Sequence, residues 1–141
     1  MSEQIVVGYD GTEGSGAALN EAIGLSKKLD AMLVIAFAYE PPSPEGGELK
    51  DLRDSLHELG EKRLGEGESQ AQNAGVQVRT VLVDARPAEA LAALAEEVGA
   101  NMIVVGSYGR KPLRSAIVGS TPHKLLHLTH IPVLVVRADR P

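Results

Sequence analysis

Met102-Ile103-Val104-Val105-Gly106-Ser107-Tyr108-Gly109 runs an apolar segment into a glycine pair, and nine residues separate Gly109 from Gly119-Ser120. A short, continuously apolar run of this kind reads as a strand covered on both faces. The glycines let backbone approach a ligand closely. Gly119-Ser120 opens what reads as a helix, whose first N–H groups lack intrahelical partners and attract anions. The pattern therefore points to a phosphate-bearing ligand held between the end of a strand and the start of a helix.

The same alternation extends outward in both directions. Ile5-Val6-Val7, Met32 to Phe37, Val76 to Val83 and Val133 to Val136 are further strand-like runs. Between them, Ala17 to Leu29 reads as a helix capped near Ser15, with Ala18, Ala22, Leu25 and Leu29 as its buried stripe. Leu49, Leu52, Leu56 and Leu59 mark a second helix, which Gly60, Gly65 and Gly67 are expected to bend or interrupt. Pro87 suits the first turn of a third helix carrying Leu91, Leu94, Ala95 and Val98. A fourth, short helix follows Ser120, with Leu125, Leu126 and Leu128 available for packing. The order βαβαβαβαβ predicts an α/β fold: a five-stranded parallel sheet with helices on both faces, Rossmann-like, with right-handed crossovers.

Length and charge narrow the function classes. A chain of 141 residues with 43% hydrophobic composition suits one domain, residues 1–141. Its net charge of −5 advertises no nucleic-acid partner. Cysteine is absent, which excludes disulfides, thiolate catalysis and cysteine metal sites. With neither a basic leader nor a run long enough to span a bilayer, the expectation is a soluble cytoplasmic protein with no membrane partner. Residues 39–48, rich in Pro and Gly, read as a surface loop, with a ligand lid as the sharper alternative.

A second constellation lies in Gly8-Tyr9-Asp10-Gly11-Thr12-Glu13-Gly14-Ser15-Gly16, between the first strand and the first helix. Asp10 can accept hydrogen bonds from a ribose, and Gly11 permits a tight turn beneath it. Equally, Asp10 and Thr12 can cap the helix and satisfy the loop's own backbone. Neither a complete GxGxxG nor a G-K-[ST] phosphate loop is present. At the other loop, N–H groups near Gly109, Gly119, Ser120 and Thr121 suit phosphate oxygens, with the Ser120 and Thr121 hydroxyls as further donors. Arg110, Lys111 and Arg114 either supplement that binding or form a solvated face.

These features together resemble a universal stress protein of the single-domain, nucleotide-binding type. The resemblance rests on the Asp10 loop, the spacing of Gly106, Gly109, Gly119 and Ser120, and the terminal Pro132-Val133-Leu134-Val135-Val136 strand. It implies the strand order 3-2-1-4-5 and a stress-response regulator binding ATP or AMP over the ends of strands 1 and 4. It places Asp10 near ribose and the Ala38 backbone beside adenine. Val105 and Gly106 would line the base and sugar end, and Gly109, Gly119, Ser120 and Thr121 would handle phosphate, with Mg2+ as a companion ion. Gly8 is either a lining residue or strand-end packing. Pro122, Ala85 and Asn101 depart from the family pattern. Pro122 removes one possible donor, Ala85 makes the approach to the third helix less permissive, and Asn101 can serve as a local turn former.

Hydrolysis needs a positioned water and a base near the terminal phosphate. The sequence fixes neither, so binding is read ahead of efficient catalysis. Weak ATP hydrolysis and a nucleotide-free dimeric interaction protein remain as alternatives. The apolar final strand, with no helix after it, suggests a homodimer formed along that edge. His123, His127 and His130 fit either metal ligation or plain helix-end histidines, and His57 has Glu61 as a helical ion-pair partner.

Overall fold

The computed structural model describes residues 3–40, 49–107 and 120–138. Five strands alternate with four helices: β1 (Gln4–Gly8), α1 (Glu13–Leu29), β2 (Met32–Tyr39), α2 (Leu49–Asn73), β3 (Val78–Asp84), α3 (Pro87–Val98), β4 (Met102–Gly106), α4 (Ser120–Leu128) and β5 (Val133–Val136). The sheet is parallel throughout and ordered β3-β2-β1-β4-β5. Among the described residues, no helix is long and apolar enough to cross a membrane.

Alternation along the strands assigns the two layers. On one face, Ile5, Val7, Leu33, Ile35 and Phe37 pack with Ala18, Leu19 and Ala22 of α1 and Leu64 and Ala71 of α2. On the other, Val6, Val34, Ala36, Ile103 and Val105 meet Leu91, Leu94 and Ala95 of α3 and Leu125 of α4. Such two-sided burial explains why the strands read as unbroken apolar runs. The chain leaves β1 toward β2, returns through α3 to the far side of β1, and adds β4 and β5. Beyond the carboxyl ends of β1 and β4, connections therefore diverge, which opens the crevice where α/β sheets bind ligands.

Several boundaries differ from the sequence expectation. α1 begins at Glu13 and is capped by Thr12, whose side chain accepts from the Ser15 N–H; Ser15 lies inside the helix. Leu29 is 47% exposed because Asp30 ends the helix in a left-handed turn just beyond it. Leu126 and Leu128 are likewise exposed, leaving Leu125 as the fully buried leucine of α4. β3 starts at Val78, since Val76 belongs to the turn after α2.

α2 runs without interruption through Gly60, Gly65 and Gly67. Two of those glycines explain why. A Cβ on Gly60 would collide with Leu82 and Phe37, and one on Gly67 would press on Ile35 at 3.2 Å. Their missing side chains let the helix lie close to the sheet, and packing outweighs the roughly 1 kcal/mol helix penalty of each glycine. His57 and Glu61 form the expected pair, at 3.4 Å. Asn101 links the ends of two strands: its Oδ1 accepts from the Gln4 N–H at 2.9 Å and its own N–H donates to the Gln4 carbonyl.

Candidate functional site

A cavity of about 120 Å³ lies at the divergence point, lined by Gly8 to Asp10 from the end of β1, Thr12 and Ser15 from the entry to α1, and Ala36 and Ala38 from β2. Pro87 and Leu91 of α3, Val105 and Gly106 of β4, and Thr121 and Pro122 of α4 complete it. Its volume is below the ~300–1,000 Å³ typical of small-molecule pockets, so these walls have room for only part of a drug-sized molecule. A more polar hollow of about 300 Å³ adjoins it, shares Pro87 and Thr121, and adds Glu40, Arg86, Glu89 and Lys124. Arg86 Nε donates to Glu40 Oε1 at 3.0 Å across that hollow, joining the end of β2 to the start of α3.

Each wall has a local cause. β1 ends where Gly8 allows Leu91 to approach: a Cβ there would stand 3.1 Å from Leu91 Cδ1. Gly8 therefore serves both packing and lining. The chain then turns through Asp10. Asp10 Oδ1 accepts from the Thr12 N–H at 3.0 Å, the Thr12 hydroxyl at 2.6 Å and the Ser15 hydroxyl at 2.8 Å. The Asp10 N–H donates to Ser15 Oγ at 3.1 Å. Gly11 sits at φ +85°, a left-handed conformation that glycine adopts without strain. Asp10 thus does what the capping alternative requires, as the acceptor of an Asx turn that positions the entry to α1. The same turn places Asp10 in the cavity lining.

Gly106 closes the other side. A Cβ at this position would lie 2.6 Å from the Gly14 carbonyl carbon and oxygen and 3.1 Å from the Ser15 nitrogen. The end of β4 and the first turn of α1 are consequently in direct backbone contact. Opposite them, α4 begins at Ser120, and its second and third residues line the cavity, so its N-terminus opens toward the hollow. Free N–H groups and the helix dipole favour an anion there, although Pro122 contributes no donor.

Of the site residues expected from sequence, Gly8, Asp10, Ala38, Val105, Gly106 and Thr121 converge on this cavity. Gly11 does not line it and faces Arg63 of α2 instead. Gly109, Arg110 and Gly119 lie outside the described residues, as does most of the 39–48 segment, and Ser120 is placed by its backbone at the start of α4. Sequence reasoning missed Tyr9, Thr12, Ser15, Ala36, Pro87, Leu91 and Pro122 as lining residues. The Pro87–Leu91 spacing was a usable signal, since residues four apart share a helix face. The His123 and His127 rings meet edge to face with centroids 5.3 Å apart, and among the described residues no group of three or more His, Cys, Asp or Glu is placed to hold a metal.

Tyr9, in the same turn, carries an electrostatic signature. Burial pushes its phenol above the ordinary value, the Glu66 and Asp10 carboxylates add to the rise, and Arg63 opposes it. Tyr39 is raised as well, first by burial and then by Asp84. Because the folded values lie above those of the unfolded chain, this stability is complete below a pH of about 10 and is lost as pH rises through the folded values. Denaturant unfolding is expected to show stability falling over that alkaline window, with a smaller fall in a Tyr9→Phe, Tyr39→Phe double variant. Identical alkaline profiles would contradict the assignment.

Comparison with known proteins gives a consistent result. The sequence profile described as the universal stress protein family matches residues 1–137. Universal stress protein YxiE of Bacillus subtilis is 30% identical, over 97% of this chain and all of that protein. The crystal structure of a universal stress protein in complex with cAMP is 29% identical, covers 97% of this chain and 98% of that one, and superposes with a TM-score of 0.77. The structure of MJ0577 from Methanocaldococcus jannaschii, 21% identical over the whole of this chain and 99% of that one, reaches a TM-score of 0.89 and matches the fold.

Proposed function

Because the chain belongs to the universal stress protein family, we propose that it is a single-domain regulatory protein whose state depends on an adenine nucleotide, ATP or AMP, bound at the β1–β4 divergence. One observation carries this reading: residues far apart in sequence, Asp10, Ala38, Val105, Gly106 and Thr121, share one hollow beside the N-terminus of a helix. The chemistry of the walls suits the ligand. Ala36, Ala38, Pro87, Leu91 and Val105 offer an apolar slot for a base, with the Ala38 backbone as its polar contact. Asp10 offers a carboxylate to the ribose. Thr121 and the first turn of α4, with Gly109, Arg110, Gly119 and Ser120, would bind phosphate, with Mg2+ accompanying it. The related protein crystallised with cAMP supports an adenine nucleotide as the class.

Regulation by occupancy fits this site better than turnover. Binding phosphate does not by itself position a water or activate a nucleophile, and hydrolysis requires both. Asp10, the carboxylate among the described residues lining the cavity, is engaged in the turn that starts α1. Nucleotide released from freshly denatured protein tests the proposal. Stoichiometric ATP or AMP is the expected result; protein that carries none and takes up none at millimolar ATP would contradict it.

We also propose a cytoplasmic homodimer. Among the described residues, β5 is an edge strand paired with β4 alone, and Leu126 and Leu128 of the adjoining α4 are exposed. An open apolar edge is a pairing liability that a symmetry-related copy removes. Light scattering at micromolar concentration is expected to return twice the chain mass, and a persistent single-chain mass would exclude the dimer.

A further inference from the structure

Arg63 sits on α2, the helix on the face of the sheet away from the cavity's α3 and α4 walls, yet it reaches the turn that holds Asp10. A Cβ on Gly11 would meet Arg63 Nε at 2.5 Å, Cδ at 2.7 Å and Cζ at 3.0 Å. The arginine therefore fills the space over Gly11, the residue between Asp10 and its donor partner Thr12. Arg63 is itself restrained, because its Nη1 donates to both oxygens of Glu66 at 3.1 and 3.3 Å. Among the described residues, its buried Nε has no hydrogen-bond partner.

Leaving a buried donor of a cation unpaired is costly, and such atoms in a folded protein call for an explanation. Contact with Gly11 on one side and the Glu66 pairing on the other hold the guanidinium in the position where that donor is unpaired. Glycine at φ +85° is the most permissive link in the turn, and the Thr12 and Ser15 bonds that hold Asp10 Oδ1 span it. The guanidinium, anchored by Glu66, removes that freedom from behind. The raised phenol of Tyr9, which responds to Glu66, Arg63 and Asp10 together, places these charges in one electrostatic neighbourhood.

We infer that Arg63 is a positioning residue for ribose recognition: braced by Glu66, it presses on Gly11 and fixes the Asp10 carboxyl where the sugar hydroxyls are received. This rests on the nucleotide reading above. It separates Arg63 from residues that touch the ligand, because its effect passes through Gly11 and Asp10. It also gives the missing side chain of Gly11 a role that cavity lining does not.

The test compares ATP with 2′,3′-dideoxy-ATP, which lacks the sugar hydroxyls, by calorimetric titration of the full chain. The wild-type chain is expected to prefer ATP by about tenfold or more, the size of a hydrogen bond to a charged group. Arg63→Met is expected to weaken ATP by about tenfold while leaving the dideoxy analogue within about twofold, so that the preference collapses. Arg63→Lys, which keeps stem and charge, should retain most of the preference. Glu66→Gln, a change at a partly exposed carboxylate, should lose part of it and provides the same readout if Arg63→Met does not fold. Equal loss of both ligands in Arg63→Met, or a preserved preference, would overturn the inference while leaving the nucleotide reading intact. A wild-type chain that binds neither ligand would instead overturn the nucleotide reading, and this inference with it.

Discussion

Gly106→Ala is expected to destabilise the protein by about 1–3 kcal/mol and to weaken nucleotide binding severely, although it adds a single methyl group. The added carbon has nowhere to go. It would stand 2.6 Å from the Gly14 carbonyl carbon and oxygen, and these are backbone atoms that cannot rotate aside. Relief requires the first turn of α1 to retreat from the end of β4. That retreat displaces Ser15, whose hydroxyl donates to Asp10 and whose N–H is held by Thr12. Stability and binding are therefore expected to fall together.

Gly24→Ala provides the contrast. This glycine lies in the interior of α1, and a Cβ there meets nothing within 4 Å. Removing a helix glycine in open space is expected to raise stability by about 1 kcal/mol and leave binding unchanged. Urea denaturation of both variants, with a nucleotide titration of each, measures the difference. A Gly106→Ala protein as stable as its parent would show that the β4–α1 contact is looser than described.

Asp10→Ala has the second largest expected effect, and its two consequences differ in size. The change removes the acceptor of the Thr12 N–H, the Thr12 hydroxyl and the Ser15 hydroxyl. Part of that loss is recoverable. The Thr12 and Ser15 hydroxyls already lie 3.1 Å apart, and Ser15 Oγ is also 3.1 Å from the Thr12 carbonyl oxygen. The stability cost is therefore expected near 1–2 kcal/mol, in the range of a lost helix cap. Binding loses a charged acceptor for the sugar, worth roughly 10–100-fold in affinity. Asp10→Asn keeps an acceptor oxygen and the shape of the turn, so it should recover most of the stability but less of the affinity. An Asp10→Ala chain that binds ATP as tightly as wild type would remove the ribose role and leave capping as the whole function of this residue.

Much of the fold was legible because its strands are buried on both faces and therefore appear as short apolar runs separated by helical periodicity. The errors fall where tertiary contact overrides local preference. Glu13-Gly14-Ser15-Gly16 reads as loop, yet Gly14 is helical because it packs on Gly106. Gly60 and Gly67 read as helix breakers, but they seat α2 against Phe37, Leu82 and Ile35. Leu29 fits the apolar stripe by spacing alone, and the turn at Asp30 leaves it exposed.

The site was legible in a different proportion. Asp10, Gly106 and Thr121 carry chemistry or conformational freedom that a sequence displays. Ala38 and Val105 have no such mark, and the family resemblance supplied them. Pro87 and Leu91 were read as features of a helix and its core face, and their second surface becomes visible once α3 is laid over the end of β1. Arg63 was invisible for a stronger reason. Its partner Gly11 is fifty-two positions away, and its role depends on the missing side chain of that glycine.

The central claim, that an adenine nucleotide occupies the hollow between β1 and β4, is tested most directly by following backbone amide resonances of the full chain as ATP is added. Saturable one-to-one shifts concentrated at Gly8, Asp10, Ala38, Val105, Gly106 and Thr121 are the predicted result. Spectra unchanged at millimolar ATP, or shifts that cluster away from these residues, would contradict it.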